Sequence, residues 1–352
     1  MKKPFLYLML STLIVSCADS QNYYINGTFN RDPESDYAYL ICSNQVIDST
    51  AITNGEFSFQ GNAAIPQLAY VADARTTRGA TNSCAVILEP GKLSVIPWED
   101  YDDYYVTGSK SNDLHTEFSK QARALTDYYE SHEGEEGILE EVEAKYNKIL
   151  LDGVAGNPDN MFGLICLREL SYEQDPALTR SMLNIFTSDI RKSDLWKTLD
   201  ERNQKMLATS AGNNYMEFSQ TDQFGNVISS KDVLATPGVK YVLIDFWASW
   251  CGPCMREVPF LKETYSKYFD KGFQILGVSL DRARDPWQKA IVDNQMNWIH
   301  VSDLKYWDNE VAKQYGINSI PANFLVEAST GKIIATNLRG KDLEKKISEL
   351  LK

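Results

Sequence analysis

The run Tyr241-Val242-Leu243-Ile244-Asp245-Phe246-Trp247 constrains the fold more than any other segment of this 352-residue chain. Its apolar residues do not alternate with polar ones, so both faces of the strand must be covered, as in a sheet packed between helices. Four residues on comes Cys251-Gly252-Pro253-Cys254, and with it a helix from about Gly252 to Tyr268. Val258, Leu261, Tyr265 and Tyr268 fall on one stripe of that helix, with Pro259 inside it. Strand and helix keep alternating. Phe273 to Leu280 is a second buried strand, and Asp285 caps a helix with Pro286 at its first position. Trp298 to Val301 and Phe324 to Val326 are further strands, Ser329 to Lys332 turns the chain into Ile333-Ile334-Ala335, and Asp342 opens a last helix. Residues 211–352 therefore read as an α/β domain.

The chain is too long for one ordinary domain, and its pattern changes twice upstream. Residues 18–108 read as an all-β, sandwich-like domain. Short runs such as Tyr23-Tyr24-Ile25, Tyr37 to Cys42, Phe57-Ser58-Phe59 and Val86-Ile87-Leu88 are separated by the turn signals Asn26-Gly27, Asn54-Gly55, Gly61-Asn62 and Pro90-Gly91. Residues 109–210 switch to helical spacing: Leu114, Phe118 and Leu125, then Ile138, Val142, Tyr146 and Ile149-Leu150. The expected fold is multidomain, a β domain and a helical linker domain followed by the α/β domain. The net charge of −13 lies before Ala211, because 211–352 holds 17 basic and 17 acidic residues. An acidic surface argues against nucleic acid or anionic lipid as a partner.

Residues 1–17 read as an address. Met1-Lys2-Lys3 is a positive start, and Phe5 to Val15 is an apolar run too short to span a bilayer. Leu13-Ile14-Val15-Ser16-Cys17 resembles a bacterial lipoprotein box. That resemblance implies a lipidated Cys17 as the membrane anchor, and a protein in the cell envelope facing the periplasm. Such a compartment permits disulfides. Cys42 and Cys84 can pair where their strands are neighbours, though spacing alone does not fix connectivity. Cys166, in the apolar run Met161 to Leu167, reads as a buried, inert thiol.

Cys251 and Cys254 are different. They sit where a buried strand hands over to a helix, and the free amide groups and dipole of a helix start favour an anion. A Cys251 thiolate should form near pH 7 or so rather than about 8.5. Half of a zinc site is the competing reading, but structural zinc takes four ligands and no second Cys-x-x-Cys exists. His115, His132 and His300 match no metal-ligand spacing either, so no metal is expected, and no glycine motif implies a bound nucleotide or other cofactor.

Asp245-Phe246-Trp247-Ala248-Ser249-Trp250-Cys251-Gly252-Pro253-Cys254 resembles the active-site segment of thioredoxin. The Gly225 lead-in, Arg256-Glu257-Val258-Pro259, Gly277-Val278-Ser279-Leu280-Asp281 and Gly316-Ile317 before Ile320-Pro321 extend the likeness to the membrane-associated branch that includes thiol reductases of cytochrome c maturation. The resemblance implies a thioredoxin fold and a redox-active Cys251–Cys254 disulfide. In it Cys251 attacks, Cys254 resolves, and Asp245 accepts the proton of Cys254. Pro321 is a cis-proline facing the dithiol, the Ile320 backbone pairs with substrate, and Trp250, Gly252 and Pro253 line the substrate side. Residues Ile25 to Gly91 resemble an uncharacterised β domain that often precedes thioredoxin-like domains in lipoproteins of the Bacteroidetes.

Departures from the branch are informative. Many members have Asn at the Asp245 position and a residue other than Gly at the Gly252 position, and Ala322 stands where thioredoxin has threonine. The first two make the site more thioredoxin-like and favour a reductant. The expected function is a thiol–disulfide oxidoreductase that reduces exported disulfide-bearing proteins and draws electrons from a membrane donor. Two alternatives remain: a partner-binding lipoprotein whose thioredoxin domain is only redox-sensitive, and a thiol peroxidase, whose Pro-x-x-x-Thr-x-x-Cys setting is absent.

Overall fold

The computed structural model describes residues 21–99, 101–171 and 175–352, so Cys17 and the leader reading lie outside the described residues. The chain divides into two compact units. The first runs to Leu170 and includes Ile185–Lys197; the second comprises Ser171–Asn184 and Thr198–Lys352.

Among the described residues the first unit has eight strands: β1 (Asn22–Thr28), β2 (Tyr37–Cys42), β3 (Gln45–Ala51), β4 (Glu56–Asn62), β5 (Gln67–Ala72), β6 (Ser83–Leu88), β7 (Gly91–Pro97) and β8 (Tyr104–Thr107). They form two four-stranded sheets, ordered β4-β1-β7-β8 and β3-β2-β5-β6. Alternate residues turn inward, and Ile25, Leu40, Val71, Val86 and Leu93 are fully buried between the sheets. Asn54 and Gly55 form the expected tight turn, both with positive φ. Asn26-Gly27 and Gly61-Asn62 do not turn; they lie inside β1 and β4. Their glycines make room for aromatic rings instead. A Cβ on Gly27 would stand 2.4 Å from the Phe57 ring, and one on Gly61 would stand 2.4 Å from the Tyr23 hydroxyl. Cys42 and Cys84 are free thiols. Strand β5 lies between β2 and β6, so their strands are not neighbours.

Helices α1 (Lys110–Ser131), α2 (Ile138–Gly156) and α3 (Met161–Leu170) complete most of this unit. The α1 residue Asn112 holds the end of β6, accepting from Ile87 N–H at 3.0 Å and donating to Ile87 C=O at 2.8 Å. Helix α4 (Pro176–Leu183) belongs to the second unit, capped by the Asp175 side chain, and α5 (Asp194–Ala208) begins in the first unit and ends in the second. The helical stretch is thus divided between the two units.

The second unit is a thioredoxin fold around one seven-stranded sheet. Its elements in chain order are β9 (Ser219–Asp222), β10 (Val227–Ser229), α6 (Ser230–Leu234), β11 (Tyr241–Trp247), α7 (Gly252–Tyr268), β12 (Phe273–Ser279), α8 (Arg284–Asp293), β13 (Ile299–Ser302), α9 (Glu310–Tyr315), β14 (Ala322–Glu327), β15 (Lys332–Thr336) and α10 (Gly340–Leu350). The sheet order is β10-β9-β13-β12-β11-β14-β15. Strand β11 runs parallel to β12 and antiparallel to β14, and every residue of it after Tyr241 is buried. Helix α8 begins two residues earlier than the sequence suggests. Asp285 lies in its first turn and caps nothing, and Pro286 is tolerated there because first-turn amides lack intrahelical partners.

Candidate active site

The β11 strand delivers the chain to the start of α7, and the two cysteines are placed by that junction. Cys251 is the residue that caps α7, and Cys254 lies in its first turn, joined to it by a disulfide. The Cys254 N–H points at the Cys251 sulfur at 3.1 Å. When the bond is reduced, that amide and the helix start behind it stabilise a thiolate on Cys251. Both cysteines are buried, at 4 % and 3 % exposure.

The Ile320–Pro321 peptide bond is cis, and the Ile320 carbonyl oxygen lies 3.7 Å from the Cys251 sulfur. Cys251, Cys254, Ile320 and Pro321 therefore meet in one place. Gly252 and Pro253 are exposed beside them, and Trp250 is 45 % exposed.

Asp245 is on β11, between Gly277 on β12 and Asn323 on β14. Its carboxyl is pushed up to about 7. Burial is the main cause; Arg339 opposes it, Glu257 adds to it, and the Asn323 side chain opposes it. A group half protonated near neutrality can take and return a proton. Gly277 is required beside it, because a Cβ there would lie 2.6 Å from His300 Nδ1 and 3.0 Å from Trp247 Nε1. His300 itself is core: burial lowers its imidazole to about 3, so it stays neutral. Among the described residues no group of three or more His, Cys, Asp or Glu is placed to hold a metal ion.

Three neighbours of this centre were not singled out from the sequence. Glu257, one turn beyond Cys254, accepts a hydrogen bond from Gly340 N–H at 2.8 Å. Arg339 donates to the Pro321 carbonyl and, at 2.9 Å, to its own Leu338 carbonyl. Asp281, buried at the end of β12, accepts from the Ser249 amide at 3.0 Å and from the Ser249 hydroxyl. Glu257 and Asp281 stand within runs that the thioredoxin resemblance highlights. Arg339 had no local signal.

Residues 238–333 match a family model described as thioredoxin-like, and residues 23–115 match a domain of unknown function, DUF4369. The chain is 32 % identical over 140 residues to the thiol-disulfide oxidoreductase ResA of Bacillus thuringiensis subsp. konkukian, covering 38 % of this chain and 73 % of the relative. The chain belongs to the thiol-disulfide oxidoreductases. A ResA of Bacillus cereus gives the same figures. A solved thiol-disulfide oxidoreductase from Bacteroides fragilis is 35 % identical, covering 40 % of this chain and all of that one, with a TM-score of 0.36. In this oxidoreductase the matched stretch holds the dithiol, the buried acid and the cis-proline, and the β domain precedes it as a separate match.

Proposed function

We propose that this oxidoreductase works as a reductase of exported proteins, held at a membrane through a lipidated Cys17. The observation that carries the dithiol exchange is the Cys251 sulfur at the start of α7, 3.1 Å from the Cys254 amide, and the reductant direction rests on the thioredoxin-like residues Asp245 and Gly252. The reduced Cys251 thiolate attacks one sulfur of a substrate disulfide. A Cys251–substrate bond forms, and the other substrate sulfur leaves and takes up a proton. Cys254 then gives its proton to Asp245 and attacks the Cys251 sulfur. This releases the second substrate thiol and leaves the Cys251–Cys254 disulfide, with two electrons passed to the substrate. In this reading the Ile320 backbone next to cis-Pro321 pairs with an extended substrate backbone, and Trp250, Gly252 and Pro253 border the same edge. A membrane thiol donor then restores the dithiol.

The export reading rests on the leader pattern ending at Cys17. No helix of the described residues is long and apolar enough to cross a membrane, so the tether is assigned to the acyl chains. Equilibrating the full chain against defined thiol buffers tests the direction of electron flow. A potential near about −270 mV fits a reductase, whereas one near about −120 mV makes the protein an oxidant. Cell fractionation tests the anchor: the wild type should travel with membranes, and Cys17→Ser should not.

A further inference from the structure

Beyond Trp250, one flank of the dithiol is not used by the chemistry above. Trp250 stands beside Cys251 with its ring 5.0 Å from Tyr306 and 6.1 Å from Trp307, while Tyr306 and Trp307 are 5.9 Å apart. This cluster is built rather than incidental. Asp281 pins Ser249, the residue before Trp250, through its amide and hydroxyl. Across the cluster, Leu304 and Tyr306 both adopt left-handed backbone angles, φ 57° and 60°, which bulky residues rarely accept. Backbone strain of this kind concentrates at ligand-contacting loops. The strained loop is fastened at both sides: Ser302 Oγ accepts from Leu304 N–H at 3.1 Å, and Asp303 accepts from Lys305 N–H, Glu310 N–H and the Asn309 amide.

The charge around the cluster is one-sided. The Arg282 guanidinium lies 3.9 Å above the Tyr306 ring, and Arg256 Nη1 lies 3.8 Å from where a Gly252 side chain would begin. Both arginines are exposed, and neither has an ion-pair partner among the described residues. The nearby acids are already occupied. Asp308 pairs with Lys313 at 2.7 Å, Glu310 with Lys305 at 2.5 Å, Asp281 is buried on the serines, and Asp303 holds the loop. Arg284 and Asp285, which follow, add one charge of each sign.

We propose that this flank selects the polypeptide substrate. It fits an extended, cysteine-bearing segment that lays an aromatic side chain on Trp250 and Tyr306 and sets carboxylates against Arg282 and Arg256. This rests on Cys251–Cys254 acting as a reducing dithiol. The fit follows from two exposed guanidiniums without counter-ions, one of them over the Tyr306 ring, beside an aromatic cluster whose Trp250 is 45 % exposed and directly precedes Cys251 in the chain.

The test is single-turnover reduction by the pre-reduced full chain of four peptide disulfides, with Glu or Lys flanking the cysteine and Tyr or Ala next to it. At low salt the Glu-flanked peptides should react about fivefold or more faster than the Lys-flanked ones, with the ratio falling toward one at high salt. Arg282→Glu and Arg256→Glu should each shrink or invert that ratio, and Tyr306→Ala should remove the preference for Tyr over Ala. Ratios taken within each variant cancel any change in the thiol's own reactivity. Equal rates for Glu and Lys peptides at low salt, or a preference that survives both arginine changes, overturns the proposal. Neutral hydroxyethyl disulfide separates the two readings: if the wild type reduces neither it nor any peptide, the reductase assignment itself has failed.

Discussion

Two buried cysteines, one in each unit, separate packing from chemistry. Cys166 is inside α3, 1 % exposed, and its sulfur fills the space left by Gly153, where a Cβ would be 2.6 Å away. Burial pushes this thiol up to about 12, with Glu169 adding to the shift. Cys251 is hardly more exposed, yet it caps a helix, and a backbone N–H points at its sulfur. Exposure therefore does not distinguish the two. What does is whether amide donors converge on the sulfur or the helix has already consumed them.

The largest expected effect comes from breaking that contrast. Cys251→Ser should lower disulfide reduction by at least about a thousandfold, since no other sulfur in the described residues has the same helix-start setting. Cys166→Ser should leave the rate within about twofold, while burying a hydroxyl without a partner costs the first unit roughly 1–3 kcal/mol. Steady-state turnover and denaturant titration of the two variants check both arms. A comparable loss of turnover in Cys166→Ser would end the distinction.

The buried carboxyl sharpens it. Asp245 is raised in the folded state to about 7 from an ordinary 3.8, so the native unit holds a proton that the unfolded chain has released. Stability from this group is therefore full below about pH 4 and is lost as pH rises through 7. Asp245→Asn should abolish that slope and stabilise the second unit at pH 8 by up to roughly 4 kcal/mol. The same change should slow the resolving step on the order of a hundredfold, because Cys254 loses its proton acceptor. Thermal unfolding at pH 5 and pH 8, with stopped-flow decay of the mixed disulfide, measures the two. A variant no more stable than wild type at pH 8 would mean that Asp245 is not buried as a charged group.

The same division governs what was legible in the sequence. The continuous apolar run of β11, the helix from Gly252 to Tyr268 and the dithiol between them follow from local patterning, and the thioredoxin resemblance placed Pro321 opposite. Asn26-Gly27 misled because the dipeptide that makes a tight turn also suits a strand whose neighbour needs room for a ring. Only the pairing of β1 with β4 shows that Phe57 crosses Gly27. Gly27→Ala should cost the sandwich roughly 1–3 kcal/mol by overpacking against Phe57 and Val95, and leave the reduction rate unchanged. Urea titration of the wild type and the variant checks the cost; an unaffected midpoint would mean that the Phe57 ring moves aside freely. Glu257, Asp281 and Arg339 act through long-range contacts. Glu257 meets Gly340 across 83 positions, a distance that no periodicity reports.

Arg339 offers the finest test, because it touches the site without touching the sulfurs. Its guanidinium holds the Pro321 carbonyl, and its charge lowers the Asp245 pKa against the burial that raises it. Arg339→Gln removes the charge, so Asp245 should titrate at higher pH and be less ionised at neutrality. If Asp245 accepts the Cys254 proton, the resolving step should then slow a few-fold at about pH 7 and recover as pH is raised. Arg339→Lys keeps the charge without the planar fork and should return the pH midpoint toward wild type. A role confined to holding the cis-proline loop predicts something else: a uniform loss at every pH in Arg339→Gln, with the midpoint unmoved. The Asp245→Asn, Arg339→Gln double variant decides between them. An electrostatic role requires that the pH shift vanish once the carboxyl is gone, whereas a scaffolding role leaves the Arg339 effect as large as before.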